Sequence, residues 1–423
     1  MRRGLLLAFA VACVAPAGCD CHGVRLTADV DAIPPAETVG APCRASAECD
    51  DGQSCNGTET CHPDRRVCVG GVPQPDFVQC VAPDGRYASC VDGRCDLDYE
   101  EMFVPAGPFV MGYDPGEDSP GTIAALAQPD RVVVLSDYFI DRYEATNKRY
   151  ARCERAGACP RQVSESSYTR HSYYRDPDFA HHPVIDTELV GATAYCAFEG
   201  KRLPTEAEWE KAARGGCEIV DPETCGEEDE RDWPWDWPPF REREDRPTCE
   251  RANAGGNASP SPELPCPVHD TDRVGIRPAG RSPYGVDDMI GNVKEWLADC
   301  PMDYRDCALG CTDPWGLCDP SNELFGLVVV RGGSWNWVDG IARRELHVPD
   351  ARFGDFGFRC VRPAGAGDAG DAKTAAGDVA LRAPPEGGVG HAVRTSGRRQ
   401  DRVGRDGFPG MRRAGGGLPA RRP

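Results

Sequence analysis

The pattern of apolar and polar residues along this chain changes from one short segment to the next, and no periodicity continues over a long stretch. The segment "FVPAGPFVMGYD" (103–114) alternates apolar residues around Gly107 and Gly112, which predicts a β-hairpin. In "RVVVLSDYFIDRYEATNKRY" (131–150) the pattern predicts a strand, a turn and a helix that begins near Thr146-Asn147. Short strands and helices joined by turns are therefore expected.

Two further helices are predicted between residues 183 and 216. In the first, Ala192, Tyr195, Cys196 and Phe198 fall along one side. The second begins after Thr205, which has Glu208 three positions later as in a capping box, and it ends at Gly215-Gly216.

Residues 217–285 show little periodicity and are rich in Pro, Gly, Asp and Trp. A long irregular stretch in a compact domain needs bridges or ions to hold it. Cysteines and acidic residues are both available there.

The first residues resemble an export signal. Arg2 and Arg3 precede the apolar run 5–14, and "APAGC" (15–19) is similar to a bacterial lipobox. The sequence thus predicts a signal peptide over 1–18 and a lipidated Cys19 at the start of a linker (19–42), hence a membrane-anchored lipoprotein of the periplasmic face or cell surface. A cleaved signal and a secreted protein are the alternative.

The chain has 423 residues, 23 cysteines and a formal net charge of −20. The acidic balance argues against nucleic acid as a partner. The cysteines lack paired zinc spacings, so disulfides in an oxidising compartment explain them better.

Eight of the cysteines, from Cys43 to Cys95, define a small disulfide-rich module over 43–97. The sequence does not say which of these cysteines pair with one another. The module either binds a ligand or acts as a stiff spacer. Residues 364–423 are first Ala/Gly/Asp/Pro-rich and then Arg/Gly-rich, which predicts a disordered tail.

Between these ends, five motifs follow one another in a recognisable order. They are "MG" (111–112), "YEATNKRY" (143–150), "GKRLPTEAEWEKAARGG" (200–216), "YGVDDMIGNVKEW" (284–296), and "RGGSW" with "GFRCVR" (331–335 and 357–362). Together they resemble the formylglycine-generating enzyme family, the sulfatase-modifying factor domain. The resemblance covers 101–363 and implies an α+β, C-type-lectin-like fold with much irregular loop. It also implies a disulfide between Cys196 and Cys360.

Calcium is the cofactor that the resemblance implies. The ligands would be the carboxylates of Asp288 and Glu295 with the carbonyls of Gly291 and Val293, because hard oxygen ligands suit Ca²⁺. A second site would begin at Asn253 and the Ala254 carbonyl, with a carboxylate near Asp270 or Asp272.

Copper is not expected. Family enzymes that oxidise a sulfatase cysteine carry two cysteines after "RGGS", and their thiolates select Cu(I). In register from Arg331, those positions are Trp337 and Ala342. The catalytic pair is therefore absent, and Ser334, Trp335, Asn336 and Trp337 become a candidate binding groove.

Three functions stay open after these observations. The first is a non-catalytic binding or structural protein of the cell envelope, whose partner is an unidentified protein, peptide or glycan. The second is another oxidoreductase on the same scaffold. The third is a formylglycine-generating oxidase that works without both thiols.

Overall fold

The computed structural model describes most of the chain between Val39 and Gly365, and the residues that it describes are 39–113, 127–219, 225, 231–235, 247–255, 266, 269–304, 311–316, 324 and 326–365. The predicted signal peptide, Cys19 and nearly all of the predicted tail lie outside these residues. None of the described helices is both long and apolar enough to cross a membrane.

The described residues form short strands and three α-helices, in agreement with the predicted α+β class. The strands are β1 (Thr60–Cys61), β2 (Cys68–Val69), β3 (Gln79–Val81), β4 (Tyr87–Val91), β5 (Arg94–Val104), β6 (Gly107–Met111), β7 (Arg131–Leu135), β8 (Tyr138–Asp141), β9 (Lys294–Trp296), β10 (Cys311–Thr312), β11 (Val328–Arg331), β12 (Glu345–His347), β13 (Phe356–Gly357) and β14 (Val361–Pro363). The helices are α1 (Asn147–Arg155), α2 (Leu189–Phe198) and α3 (Glu206–Arg214).

Helix α1 begins where the sequence predicts, and α3 both begins and ends there. The Thr146 side chain caps α1 by accepting a hydrogen bond from the Arg149 backbone N–H. Thr205 and Glu208 form the expected capping box of α3, which ends at Gly215 with φ 94°. Ala192, Tyr195 and Cys196 of α2 are buried on one side.

The strands form several separate sheets. One has the order β14-β8-β5-β4-β3, another β12-β11-β9-β13, and a third β10-β7-β6. The hairpin predicted for 103–114 is wrong, because β5 pairs with β4 and β8 whereas β6 pairs with β7. Pro105 and Ala106 therefore carry the chain from one sheet to the next.

The hydrophobic core lies between these sheets and the helices. Trp209 of α3 is fully buried in one large cluster with Met289, Ile290, Leu297 and Val329. Trp296 belongs to a second cluster with Tyr195, Phe358 and the Cys196–Cys360 pair. Both indole N–H groups have acceptors, as buried tryptophans require.

The cysteine module is continuous with the larger domain. Strand β5 runs across the boundary predicted between 97 and 101, and β3 and β4 extend its sheet. Arg152 of α1 makes ion pairs with Asp76 and Asp92 of the module. These contacts join the module to the first helix of the domain.

Disulfides close both regions. In the module they join Cys43 to Cys61, Cys49 to Cys68, Cys55 to Cys90 and Cys80 to Cys95. In the domain they join Cys153 to Cys159, Cys196 to Cys360, Cys217 to Cys225 and Cys249 to Cys266. The Cys196–Cys360 bridge ties α2 to the segment just before β14, across 164 residues of sequence.

Candidate functional site

The sheet β12-β11-β9-β13 brings the later motifs together. Strand β11 enters "RGGSW" and pairs with β9 of "GNVKEW", while β12 returns antiparallel on its other side. Because β11 and β12 are paired, the loop 332–344 between them stands at one end of the sheet. This loop carries all four residues predicted for the groove, namely Ser334, Trp335, Asn336 and Trp337.

Beneath the loop is a frame of buried arginine–carboxylate pairs. The Nη2 atom of Arg331 lies 2.7 Å from Glu206 Oε1 and 2.7 Å from Glu210 Oε2, and both glutamates are on α3. Arg359 donates to both oxygens of Glu295, each at 2.8 Å. All of these side chains are buried, so the frame fixes α3 against the sheet.

Gly333 lets the loop turn sharply. Its φ is 66°, and a Cβ there would lie 2.7 Å from the Trp337 carbonyl oxygen. Ser334 and Trp337 exchange backbone hydrogen bonds of 2.7 and 3.1 Å, which closes a tight turn. The Ser334 hydroxyl is buried and donates to Asp355 at 2.9 Å, so this residue holds the turn in place.

Of the predicted groove residues, Asn336 and Trp337 face solvent, and Trp337 is 37% exposed. Trp335 is only 7% exposed, but its ring lies 5.0 Å from that of Tyr168, which is 73% exposed. We call Tyr168, Trp335, Asn336 and Trp337 the aromatic surface. The structure corrects the predicted groove by adding Tyr168 and by burying Ser334.

A pair of carboxyl groups lies beside Trp337. Its indole N–H donates to Asp339 Oδ1 at 2.9 Å, and Arg343 Nε lies 2.6 Å from the same oxygen. Burial and a hydrogen bond with Glu345 raise the pKa of Asp339 to about 7. Burial opposes the change at Glu345, but hydrogen bonds from His347 and Lys294 lower its pKa to about 2. Of the two carboxyl groups, Asp339 therefore binds a proton more tightly than Glu345.

A family model described as "Sulfatase-modifying factor enzyme 1-like domain" matches residues 91–364. The chain belongs to this sulfatase-modifying factor family. The match begins at the last residue of β4, so it includes β5 but neither β3 nor most of β4.

Curated relatives carry different names. The chain is 28% identical to the formylglycine-generating enzyme of Thermomonospora curvata, over 61% of this chain and 91% of that protein. It is 30% identical to the hercynine oxygenase of Mycolicibacterium smegmatis, over 59% and 58%. It is 28% identical to the serine/threonine-protein kinase pkn1 of Chlamydia pneumoniae, over 58% of this chain but only 36% of the kinase. The chain thus spans little more than a third of that relative.

Among solved structures, PvdO from Pseudomonas aeruginosa aligns with a TM-score of 0.47 and 23% identity, over 69% of this chain and all of that one.

Trp337 and Ala342 stand at the positions where the resemblance implies two copper-binding cysteines. Trp337 is held by Asp339 and Arg343 as described, and Ala342 is half-buried. Every cysteine within the described residues is disulfide-bonded, including Cys300 and Cys311. That part of the chain therefore offers no thiolate to a soft metal ion.

The first predicted calcium loop is tightly wound. Asp288, Gly291 and Asn292 all have positive φ, and a Cβ on Gly291 would lie 2.4 Å from the Asn253 carbonyl oxygen. Asp288 is 6% exposed and accepts the Gly275 N–H at 2.6 Å, and no described lysine or arginine forms an ion pair with it. Burial and the neighbouring Asp287 raise its pKa to about 6.

A second buried carboxylate lies near this loop. Glu144, in the "YEATN" motif, accepts hydrogen bonds from the Asn292 amide and the Val293 N–H. Burial and the charge of Asp288 raise the pKa of Glu144 well above its ordinary value. A cation bound by Asp288 would relieve this unfavourable charge, so Asp288 fits a hard metal ion. Glu295 fits less well, since Arg359 already occupies both of its oxygens.

At the second predicted calcium site the carboxylates are already engaged. Asp270 accepts hydrogen bonds from Ser167, Thr169 and Thr271. Asp272 pairs with Arg277 at 2.7 Å. The Asn253 amide donates to the Asp270 carbonyl, and the Ala254 carbonyl accepts from the Cys266 N–H. Asn253 and Asp270 are thus brought together, but the carboxylates of Asp270 and Asp272 are bound mainly by residues outside the predicted set.

Proposed function

We propose that this chain is a non-catalytic member of its family that binds a glycan of the cell envelope at the aromatic surface. The observation that carries the proposal is Trp337, a half-exposed indole at a position where the resemblance places a thiol in the family's oxidases. Asp339 and Arg343 hold the ring in place, so little side-chain freedom is lost when a ligand binds.

A glycan is the ligand class that this chemistry favours. Sugar rings present apolar C–H faces, which pack on aromatic rings, and hydroxyl groups, which need donors and acceptors nearby. Tyr168 and Trp337 supply exposed rings, while the exposed Asn336 and the half-buried Arg343 supply polar groups beside Trp337. The combination of rigid aromatic anchors and a polar rim is typical of recognition surfaces.

The test is binding of the purified full chain to an array of bacterial envelope glycans and to an array of peptides. Trp337→Ala should abolish glycan binding, because it removes the exposed ring. The matched control is Trp315→Ala, which removes another exposed indole away from this loop. Binding to peptides alone, or glycan binding that Trp337→Ala does not change, would refute the glycan ligand.

Attachment to the membrane through Cys19 is part of the same proposal. It rests on the lipobox-like "APAGC" sequence, and Cys19 lies outside the described residues. Cys19→Ala should release the protein from the membrane fraction or leave its signal peptide uncleaved. A wild-type protein recovered entirely in soluble fractions would overturn it.

Calcium would act as a structural ion in this proposal. Asp288, with the carbonyls of Gly291 and Val293, would hold it. The Asn292 backbone carbonyl accepts a hydrogen bond from the Trp335 backbone N–H at 2.9 Å. An ion in this loop would therefore also stiffen the aromatic surface. Its chemistry would be electrostatic, namely neutralisation of the buried carboxylates of Asp288 and Glu144.

A further inference from the structure

A second group of acidic residues lies in the cysteine module, far along the chain from the predicted calcium loop. Asp50, Asp51 and Glu59 each direct a carboxylate oxygen to one place, where the three oxygens lie within 4.8 Å of one another. Three like charges at this spacing repel one another unless a cation lies between them.

Glu59 supplies an independent observation. Its side chain is only 4% exposed, and its Oε1 atom is buried without a hydrogen-bond donor. No lysine, arginine or histidine among the described residues forms an ion pair with Glu59, Asp50 or Asp51. Because a buried carboxylate is costly unless it is paired or coordinates a metal, Glu59 indicates a bound cation.

Asn56 would add a fourth oxygen at the same place after a rotation of its amide. Its amide donates to Asp51 Oδ2 at 2.8 Å, while its own Oδ1 is buried and also lacks a donor. Rotation of this amide by half a turn would bring Oδ1 beside the Asp51 carboxylate. The local donor set is then three carboxylates and one amide oxygen.

The backbone holds these groups rigidly. Disulfides Cys49–Cys68 and Cys55–Cys90 pin the segment on either side of Asp50 and Asp51. The Gly52 and Gln53 N–H groups donate to the two aspartates and orient them. A Cβ on Gly57 would lie 2.2 Å from the Val72 carbonyl oxygen, so the chain leading to Glu59 packs directly on neighbouring backbone.

We propose that Asp50, Asp51 and Glu59, with Asn56, form a Ca²⁺ site in the cysteine module, separate from the loop of Asp288. Hard oxygen ligands favour Ca²⁺ over zinc or copper, and the neighbouring thiols are all oxidised to disulfides. Water and backbone carbonyls would complete the coordination. The site gives the module a binding role of its own, and it does not depend on the glycan proposal.

Equilibrium dialysis of the full chain against CaCl₂ tests this site. Calcium sites of extracellular modules have Kd values of roughly 10⁻⁴–10⁻³ M, so the titration should reach about 10 mM. All variants carry Asp288→Asn, which removes the charge of the other loop. We expect Glu59→Gln and Asp50→Asn each to lose one bound calcium ion per chain. The matched control Asp64→Asn removes an exposed acid of the same module and should lose none.

Two results would overturn the proposal. One is retention of all calcium by both Glu59→Gln and Asp50→Asn, and the other is a background chain that binds no calcium. Mass analysis after alkylation without reduction verifies that the four module disulfides have formed. Because Asp50 is exposed, and asparagine still accepts the Gly52 N–H, its variant reports on the ion even if Glu59→Gln fails to fold.

Discussion

Arg331 and Trp337 stand on either side of the same glycine turn, yet their surroundings differ completely. Arg331 is buried, and it contacts Glu206, Glu210, the Ile341 carbonyl and the Tyr304 hydroxyl. Trp337 is half-exposed and contacts mainly Asp339 and Arg343. Arg331 belongs to the frame of buried ion pairs, whereas Trp337 belongs to the exposed side of the loop 332–344, which we call the rim.

This difference indicates how a chain can keep its family's motifs while the loop beside them varies. Changing a frame residue leaves a buried charge without its partner, so folding itself restricts substitution there. A rim residue has few partners, and an indole is accommodated where a thiol would stand. Membership of the family therefore establishes the fold, whereas the chemistry depends on the rim.

The largest expected effect comes from breaking the frame. Arg359→Met should lower the free energy of unfolding by about 3–5 kcal/mol, because Glu295 stays buried without its guanidinium. Urea denaturation with the disulfides intact measures this.

The matched control for that variant is Arg352→Met, which breaks a partly exposed pair with Glu188. It should cost no more than about 1 kcal/mol. Equal losses of stability for the two variants would contradict the distinction between the buried ion pairs of the frame and exposed ion pairs.

Removal of calcium should have the next largest effect. Ligand that binds only the folded chain stabilises it by about 2.7 kcal/mol at a hundred times Kd, so chelator should lower the melting temperature. Asp288→Ala should remove the part of this difference that comes from its own loop, and Asp288→Ala combined with Glu59→Gln should remove most of it. A melting curve that chelator leaves unchanged in the wild type would show that the raised pKa of Asp288 is relieved in some other way.

A smaller effect should appear in the dependence of stability on pH. The pKa of Asp339 is about 7 in the folded chain, above its ordinary value of 3.8, so the folded state binds the proton more tightly. The stabilisation from this group is complete below about pH 4 and is lost as the pH rises towards 7.

Asp339→Asn should therefore become more stable relative to wild type as the pH rises from about 4 to about 7. Denaturant midpoints at several pH values measure this, with the exposed Asp350→Asn as the control. A parallel pH profile for wild type and Asp339→Asn would mean that Asp339 is ionised throughout.

The sequence predicted those parts of the molecule that depend on neighbouring residues. Thr146 and the Thr205–Glu208 capping box mark helices α1 and α3 because caps act within a few residues. The prediction of a hairpin around Gly107 was wrong because the pairing of strands depends on residues that are distant in the sequence. Strand β5 pairs with β8 instead of β6, and the periodicity of the sequence does not indicate which strands pair.

The site was predictable only in part for the same reason. The family motifs located the turn after Gly333, but not which of its rings would be exposed. Tyr168 reaches Trp335 from a loop far away in the sequence, and Asp339 meets Glu345 only because β11 and β12 pair. No local pattern marks either residue.

The central claim is that this rim binds and does not oxidise. The most direct measurement is Cu(I) titration of the purified full chain, together with oxygen uptake in the presence of a CxPxR-type sulfatase peptide. We predict no stoichiometric Cu(I) binding and no copper-dependent uptake. The double variant Trp337→Cys with Ala342→Cys should gain affinity for Cu(I), because it places thiolates at the family's positions. Copper-dependent oxidation of the peptide cysteine by the unmodified chain would contradict the account.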